Sequence, residues 1–398
     1  MRISTTNSYN TSLDSLMDRQ SRLAETQEQM TTGKRVNRAS DDPAAAARAE
    51  RALASERRSV ASQRAVDASD NAMRLTEGAL GDAGDLLQTA REALVSAGNP
   101  TFSDKERLGV ANQLADLRAQ LLAVANRTDS AGIHLFGGQG ASQAPFTDLP
   151  GGVQFQGASG QTQAASSDAL PLTIDGESTW MQARNGNGVF VARAVTSTGS
   201  AWIGSGNVID PSALTGSTYS LQFSVSGAST TYSVLKDGLP TAQTNVAYSS
   251  GQAIQVDGMS TKITGQPADG DAFQLAPSNS NLSVFDALDK AIAELKTPGR
   301  TGTQIAQSNV ENLSNIDAVM GQVAAGRSQV GATMNRVDAV TERLSALKLS
   351  SQTERAHAED LDMTQAISDF SNQQTGYDAA LKAYSMVQRL SLFNYLNT

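Results

Sequence analysis

The chain has 398 residues, no cysteine, two histidines and a formal charge of −9 from 31 basic and 40 acidic side chains. Disulfide frameworks, thiolate metal sites and cysteine nucleophiles are excluded, and His134 and His357 lie too far apart in sequence to suggest a multi-histidine metal centre. The acidic balance argues against nucleic-acid binding, which requires clustered Lys and Arg.

The first residues, Met1-Arg2-Ile3-Ser4-Thr5, carry one early charge and no apolar h-region, so no Sec signal is expected. No 18-residue run is uninterruptedly apolar, so membrane insertion is not expected either. At roughly 150 residues per domain, the length suggests two or three domains.

Residues 141–280 hold 17 of the 33 glycines, 7 of the 10 prolines and both tryptophans, Trp180 and Trp202. Outside them the prolines are Pro43, Pro100 and Pro298. Proline breaks helix interiors and glycine weakens them, so the flanks permit long helices and the middle does not. The expected fold class is α+β and multidomain: a long antiparallel helical coiled coil or bundle built from both chain ends, with an inserted β-rich domain. Its divisions are 1–42 with 356–398 (terminal helical segments), 43–140 with 281–355 (a helical rod) and 141–280 (the insertion).

In chain order, Leu13, Leu16, Gln20, Leu23, Gln27 and Met30 step by 3 and 4, a heptad seam with glutamine in two slots. After Gly33, the run Asp41-Asp42-Pro43 offers an N-cap and a first helical residue that needs no N–H. From Ala44 to Asn99 no proline intervenes, room for ~84 Å of helix at 1.5 Å per residue. Its expected seam is Ala65, Ala68, Ala72, Leu75, Ala79, Leu86, Ala90 and Ala93. Ser103 with Glu106 reads as a capping box for a returning antiparallel helix.

In the middle, Tyr219, Leu221, Phe223 and Val225 alternate with polar residues. Asp175-Gly176, Asp237-Gly238 and Asp257-Gly258 are candidate hairpin turns. An antiparallel sheet or small barrel follows. Beyond it, Ser283 can cap a short helix carrying Phe285, Leu288, Ile292 and Leu295. Ser308 with Glu311 is expected to open a long helix whose heptads run through Ile316, Val323, Val330, Val337 and Leu344. Phe370, Tyr377, Leu381, Tyr384 and Leu392 continue an apolar stripe.

No zinc helix, Walker loop, dinucleotide fingerprint or nucleophile elbow is present, so no catalytic residue, metal ligand or cofactor is assigned. Gly137-Gly138-Gln139-Gly140 follows a helix, the wrong context for phosphate, and reads as a hinge. Asp168, Asp175 and Glu177 could supply a carboxylate pair for glycoside hydrolysis, but turn acids are far commoner. Trp180 and Trp202 could form a sugar platform, with packing inside the β module the favoured reading.

Met1-Arg2-Ile3-Ser4-Thr5, Gln27 through Asn37 and Ala39-Ser40-Asp41-Asp42-Pro43 resemble the N-terminal region of the flagellin superfamily. Thr76 through Leu80 with Arg91-Glu92-Ala93-Leu94 resemble its first long helix, and Leu135-Phe136-Gly137-Gly138 resembles the turn leaving that helical domain. Ile263 through Phe273 is similar to a segment recurring in hook-associated members. The end, Ala383-Tyr384 to Leu396, looks closer to those members than to flagellin.

The resemblance implies a non-enzymatic structural part of the bacterial flagellum, joining the hook to the flagellin filament by helical self-assembly. Its implied partners are a neighbouring hook-associated junction protein, flagellin, copies of itself in a helical ring, and an export chaperone at the C-terminal region. It further implies synthesis in the cytoplasm and flagellar export, without a cleaved signal, to the extracellular flagellum.

An apolar stripe on a terminal helix must be buried, and each Leu or Phe buried stabilises by about 1.5–3 kcal/mol. Phe370, Tyr377, Tyr384, Phe393 and Tyr395 exceed what a two-helix pair can cover. The expected assembly residues are therefore Leu13, Leu16, Leu23, Met30, Phe370, Tyr377, Leu381, Tyr384, Leu392, Phe393 and Tyr395. Asp41, Asp42 and Pro43 are read both as an ordinary helix start and as the cap or hinge that sets the angle between terminal and long helices. The rival readings are flagellin itself, an enzyme carried on a flagellar scaffold, and an adhesive surface module.

Overall fold

The computed structural model describes residues 5–141, 143–166 and 168–396, with side chains within 9–386. The chain forms two compact units, residues 1–64 with 341–398 and residues 65–340. The helices are α1 (Thr5–Thr32), α2 (Pro43–Ala97), α3 (Asp104–Ala125), α4 (Gly176–Trp180), α5 (Val284–Lys296), α6 (Gly302–Glu359) and α7 (Met363–Leu396). The strands between α3 and α5 make the fold α+β, as the proline and glycine distribution requires.

In the unit of residues 65–340, α2 and α3 form an antiparallel hairpin. Its turn contains Asn99-Pro100, and Arg127, just past the end of α3, meets Asp82 on α2 at 2.5 Å. The α3 start is the expected capping box: Glu106 N donates to Ser103 Oγ (3.3 Å) and Ser103 N donates to Glu106 Oε2 (2.7 Å). Ser283 caps α5, and Phe285, Leu288, Ile292 and Leu295 are all buried. In this unit α6 runs antiparallel to α2, with Arg91 against Asp317 and Arg327 against Glu77.

Two expectations about these helices need correction. The α6 helix opens at Gly302, six residues before Ser308, because Thr301 and Gln304 form the capping box instead: Gln304 N donates to Thr301 Oγ1 (3.3 Å) and Thr301 N to Gln304 Oε1 (3.0 Å). Ser308 is buried mid-helix, its hydroxyl donating to the Ile305 carbonyl. The α2 seam differs in part: of the expected residues, Ala72, Ala79, Ala90 and Ala93 are buried, Ala65 and Leu86 are half-buried, and Ala68 is exposed. Val66, Met73, Leu80, Leu87 and Leu94 recur every seven residues and are buried, with Ser69, Thr76, Ala83, Ala90 and Ala97 between them. Leu75 is 40% exposed. Alanine on every face hides the stripe, and two of the seam slots are polar: Ser69 Oγ donates to the Pro171 carbonyl and Thr76 Oγ1 to the Ala72 carbonyl.

The strands are β1 (Phe146–Leu149), β2 (Gly152–Phe155), β3 (Ala183–Arg184), β4 (Phe190–Thr196), β5 (Trp202–Ile203), β6 (Asn207–Val208) and β7 (Tyr219–Ser226). They continue as β8 (Ser229–Lys236), β9 (Leu239–Pro240), β10 (Val246–Ala247), β11 (Ala253–Val256), β12 (Met259–Thr264), β13 (Ala272–Pro277) and β14 (Ser280–Leu282). One sheet has the order β10-β8-β7-β13-β4 with β9 beside β8, and a second has β11-β12-β5 with β6 beside β12. Both are antiparallel throughout. Tyr219, Leu221 and Phe223 on β7 point into a shared core with Ile203, Ile254, Ile263 and Phe273. Asp237-Gly238 and Asp257-Gly258 close two-residue hairpins with φ of 48°, 85°, 40° and 79°, the all-positive pattern of a type I′ turn.

Asp175-Gly176 closes no hairpin. Asp175 Oδ1 instead caps α4, accepting from Glu177 N (3.0 Å) and Ser178 N (3.4 Å). Glu177 bonds Ser159, so these carboxylates are spoken for by local structure. Trp180, at the end of α4, is fully buried and belongs to the helical core, not to the β core. It stands edge-on to Phe136 at 5.3 Å and stacks on Phe285 at 6.1 Å, among side chains of α2, α3, α5 and α6. Trp202 is half-buried on β5. The two rings share no surface, which removes the sugar platform. The Gly137–Gly140 run is pinned rather than loose: Gly138 N donates to the Ile174 carbonyl, and Gly138 O accepts from Thr162 and Thr173.

Candidate assembly surface

Within the unit of residues 1–64 and 341–398, α1 and α7 pair antiparallel. Tyr9 and Tyr384 have ring centroids 5.6 Å apart near one end, and Thr26 Oγ1 lies 3.0 Å from Gln373 Oε1 toward the other. Among the half-buried or buried residues on α7, Ala366, Phe370, Gln373, Tyr377, Ala380 and Tyr384 step by 4, 3, 4, 3 and 4. That is the 3.5-residue repeat of a two-helix seam. On α1 the matching residues are Leu13, Leu16, Leu23, Thr26 and Met30. Thr26 takes the slot the sequence offered to Gln27, which is exposed.

Among the sequence-derived candidates, Leu13, Leu16, Leu23, Met30, Phe370, Tyr377 and Tyr384 are thus half-buried along this intrachain seam. Leu381 is different: it is 42% exposed, and Ile367 and Met363 share its flank at helical spacing, Ile367 at 53%. Met17 on α1 is exposed as well. The side chains of Leu392, Phe393 and Tyr395 lie outside the described residues.

Asp41 and Asp42 sit in the break between α1 and α2. Asp41 Oδ2 accepts from Arg38 N (2.8 Å) and Asn37 N (3.1 Å), and these bonds, the Arg38 one foremost, hold its pKa below the usual carboxylate value. Asp42 Oδ1 accepts from Ala45 N at 2.9 Å, and its Oδ2 lies 3.2 Å from Arg35. The Ala45 bond, then Arg35, lower its pKa likewise. Pro43 is the first residue of α2. The second pair of this unit is α2 with α6: Arg355 meets Glu56 at 3.0 Å and Ser351 Oγ donates to Ser55 Oγ at 3.0 Å. Thr26, Gln373 and Arg35 are residues that an apolar-period reading passes over.

Two helical regions at opposite ends of one chain, each giving one strand to a coiled coil, set the frame for comparison. Residues 3–141 match the bacterial flagellin N-terminal helical region and residues 313–396 the bacterial flagellin C-terminal helical region, together more than half of the chain. Flagellar hook-associated protein 3 of Salmonella typhimurium is 25% identical over 403 residues, 99% of each chain. The chain belongs to the hook-associated protein 3 branch of the flagellin family. Among solved structures, the flagellar junction protein FlgL of Legionella pneumophila is similar with a TM-score of 0.64 and 28% identity, covering 70% of this chain and 95% of that one. FlgL of Xanthomonas campestris gives 0.68 and 29%, covering 76% and 98%. The flagellar filament 41 kDa core protein of Borreliella burgdorferi aligns over 132 residues, 33% of this chain, at 28% identity, whereas the hook-associated relative aligns end to end, middle segment included. That span separates this branch of the family from flagellin itself. Among the described residues, no helix is long and apolar enough to cross a membrane.

Proposed function

We propose that this chain is a structural subunit of the flagellar hook–filament junction and carries out no catalysis. The end-to-end alignment with a hook-associated protein supports this reading. So does the exposed stripe of Met363, Ile367 and Leu381 beside a seam already filled by α1 and α7. A single copy leaves that stripe in water, and neighbouring copies in a helical ring bury it. Head-to-tail contacts of this kind present different surfaces at the two ends of the ring, as a part with a hook-associated neighbour on one side and flagellin on the other must. The C-terminal region is the surface offered to an export chaperone, and the chain reaches the flagellum through the flagellar export apparatus without losing a signal peptide.

The deciding experiment is deletion of the gene followed by complementation. Cells without the chain are expected to carry hooks lacking filaments and to shed flagellin into the medium. The intact gene restores filaments. Leu381→Asp is expected to be exported and folded in its β region yet fail to restore them. Normal filaments in the deletion strain would overturn the reading.

A further inference from the structure

Residues 33–42 and 360–362 are the breaks that separate α1 from α2 and α6 from α7, and in the unit of residues 1–64 and 341–398 they form one joint. Gly33, at φ +71°, ends α1 with its N–H on the Gln29 carbonyl. Its own carbonyl then accepts from Leu361 N at 3.0 Å, while Arg35 N donates to the Glu359 carbonyl at 2.7 Å. Lys34 and Asp360 thereby pair as an antiparallel bridge.

The Arg35 side chain closes the joint from the other direction. One guanidinium nitrogen donates to the Ala358 carbonyl at 3.0 Å and another lies 3.2 Å from Asp42 Oδ2. Ala358 and Glu359 are the last two residues of α6, where carbonyls have no partner inside the helix and positive charge is favoured. Asp42 is the cap of α2. One planar side chain therefore ties the end of α6 to the start of α2, and its backbone N–H ties both to the exit from α1. Gln29 holds the Arg35 carbonyl, and Lys34 lies 3.2 Å from Glu359.

We infer that Arg35 is a positioning residue that fixes the direction of the α1–α7 pair against the α2–α6 pair. The helix cap at Asp42 alone restrains one chain, which keeps two soft dihedrals at every residue of the break. Bonds across both breaks remove that freedom, because neither corner bends without opening the other. Lysine does not substitute: its compact ammonium lacks the fork that reaches a carbonyl and a carboxylate on different helices.

The absence of cysteine makes the test direct. Gln20→Cys and Glu50→Cys place spin labels on exposed positions of α1 and α2 in the full chain, and pulsed electron resonance reads the distance between them. One narrow distance is expected with Arg35 present, and loss of that narrow peak with Arg35→Ala and with Arg35→Lys, while helix content stays unchanged. Arg51→Ala, on α2 and outside the joint, should keep the peak. A narrow peak unchanged in both Arg35 variants overturns the inference, and so does a broad distribution in the unsubstituted chain. The consequence for filaments rests on the junction reading: Arg35→Ala should then be exported but attach fewer filaments in the deletion strain. If the unsubstituted chain itself fails to restore filaments, that reading falls, and the distance measurement still decides the joint.

Discussion

Thr26 Oγ1 donates to Gln373 Oε1 at 3.0 Å, joining helices 347 residues apart in sequence through a hydroxyl that is almost fully buried. A polar pair in an otherwise apolar seam fixes register more than it adds stability. Thr26→Val removes one partner and leaves the Gln373 amide half-buried without it, an expected loss of about 1 kcal/mol. Thr26→Val with Gln373→Leu replaces both partners by apolar groups and should recover most of that loss. Amide exchange of α1 and α7 is the readout, faster in the single variant and near the parent rate in the double. A double variant no better than the single would sink the account.

The register of α2 can be tested by two leucines twelve positions apart. Leu87 is fully buried in the seam with α3, α5 and α6, while Leu75 is 40% exposed. Leu87→Ala should cost about 2–5 kcal/mol through lost burial and a cavity. Leu75→Ala should fall within ~0.5 kcal/mol of the parent, as surface changes do. Urea unfolding of the full chain measures both, and equal losses would restore Leu75 to the seam.

That contrast shows which parts of the fold the sequence carries openly. Local chemistry was legible: Pro43 starts a helix, Ser103 with Glu106 makes a capping box, and Asp237-Gly238 makes a hairpin. The α6 heptads were legible too, because Ile316, Val323, Val330, Val337 and Leu344 recur every seven residues as large apolar side chains, and all are buried. The α2 seam was legible only in part, through Ala72, Ala79, Ala90 and Ala93, since alanine surrounds it and Ser69 and Thr76 occupy slots an apolar count skips. Nor was the strand order, because β13 enters between β7 and β4 from 46 residues downstream of β7. At the candidate surface the apolar stripes of α1 and α7 were visible. The partners of Arg35 were not, since Ala358 lies 323 residues away and no spacing rule connects them.

Trp180 and Trp202 offer an optical check on where the middle segment packs. Trp180 is fully buried among Phe136, Phe146 and Phe285, and its indole N–H has no hydrogen-bond partner among the described residues. Trp202 is half-buried. Trp180→Phe should therefore remove the blue-shifted part of the emission, and Trp202→Phe should leave it. Trp180→Ala should also destabilise the helical core by about 3–5 kcal/mol. Blue-shifted emission that survives Trp180→Phe would place the apolar indole elsewhere.

Two carboxylates in the unit of residues 65–340 should respond to pH with opposite signs. Asp271 is fully buried in the loop before β13, and burial alone would raise its pKa. Hydrogen bonds from Thr198 N (2.7 Å), Ala268 N (2.8 Å), Thr198 Oγ1 (2.9 Å) and Gly199 N (3.1 Å) outweigh burial, so the folded value lies below the ordinary 3.8. The unfolded chain then binds the proton first, so Asp271 contributes fully above pH 3.8 and its contribution is lost as pH falls through the folded value. Glu294 on α5 is the reverse case. Burial raises its pKa above 4.5, and the Asn312 bond only partly opposes that. Here the folded chain holds the proton longer, so stability declines as pH rises from 4.5 through the folded value. Glu294→Gln keeps an acceptor for Asn312 without the charge and should abolish that decline, giving a more stable protein at neutral pH. Asp271→Asn should cost about 1–3 kcal/mol at neutral pH, because an amide satisfies fewer of the four donors, and should flatten the acid limb. Urea unfolding followed from acid to neutral pH separates the two, because the slopes have opposite signs, and the same slope change from both variants would contradict the assignment.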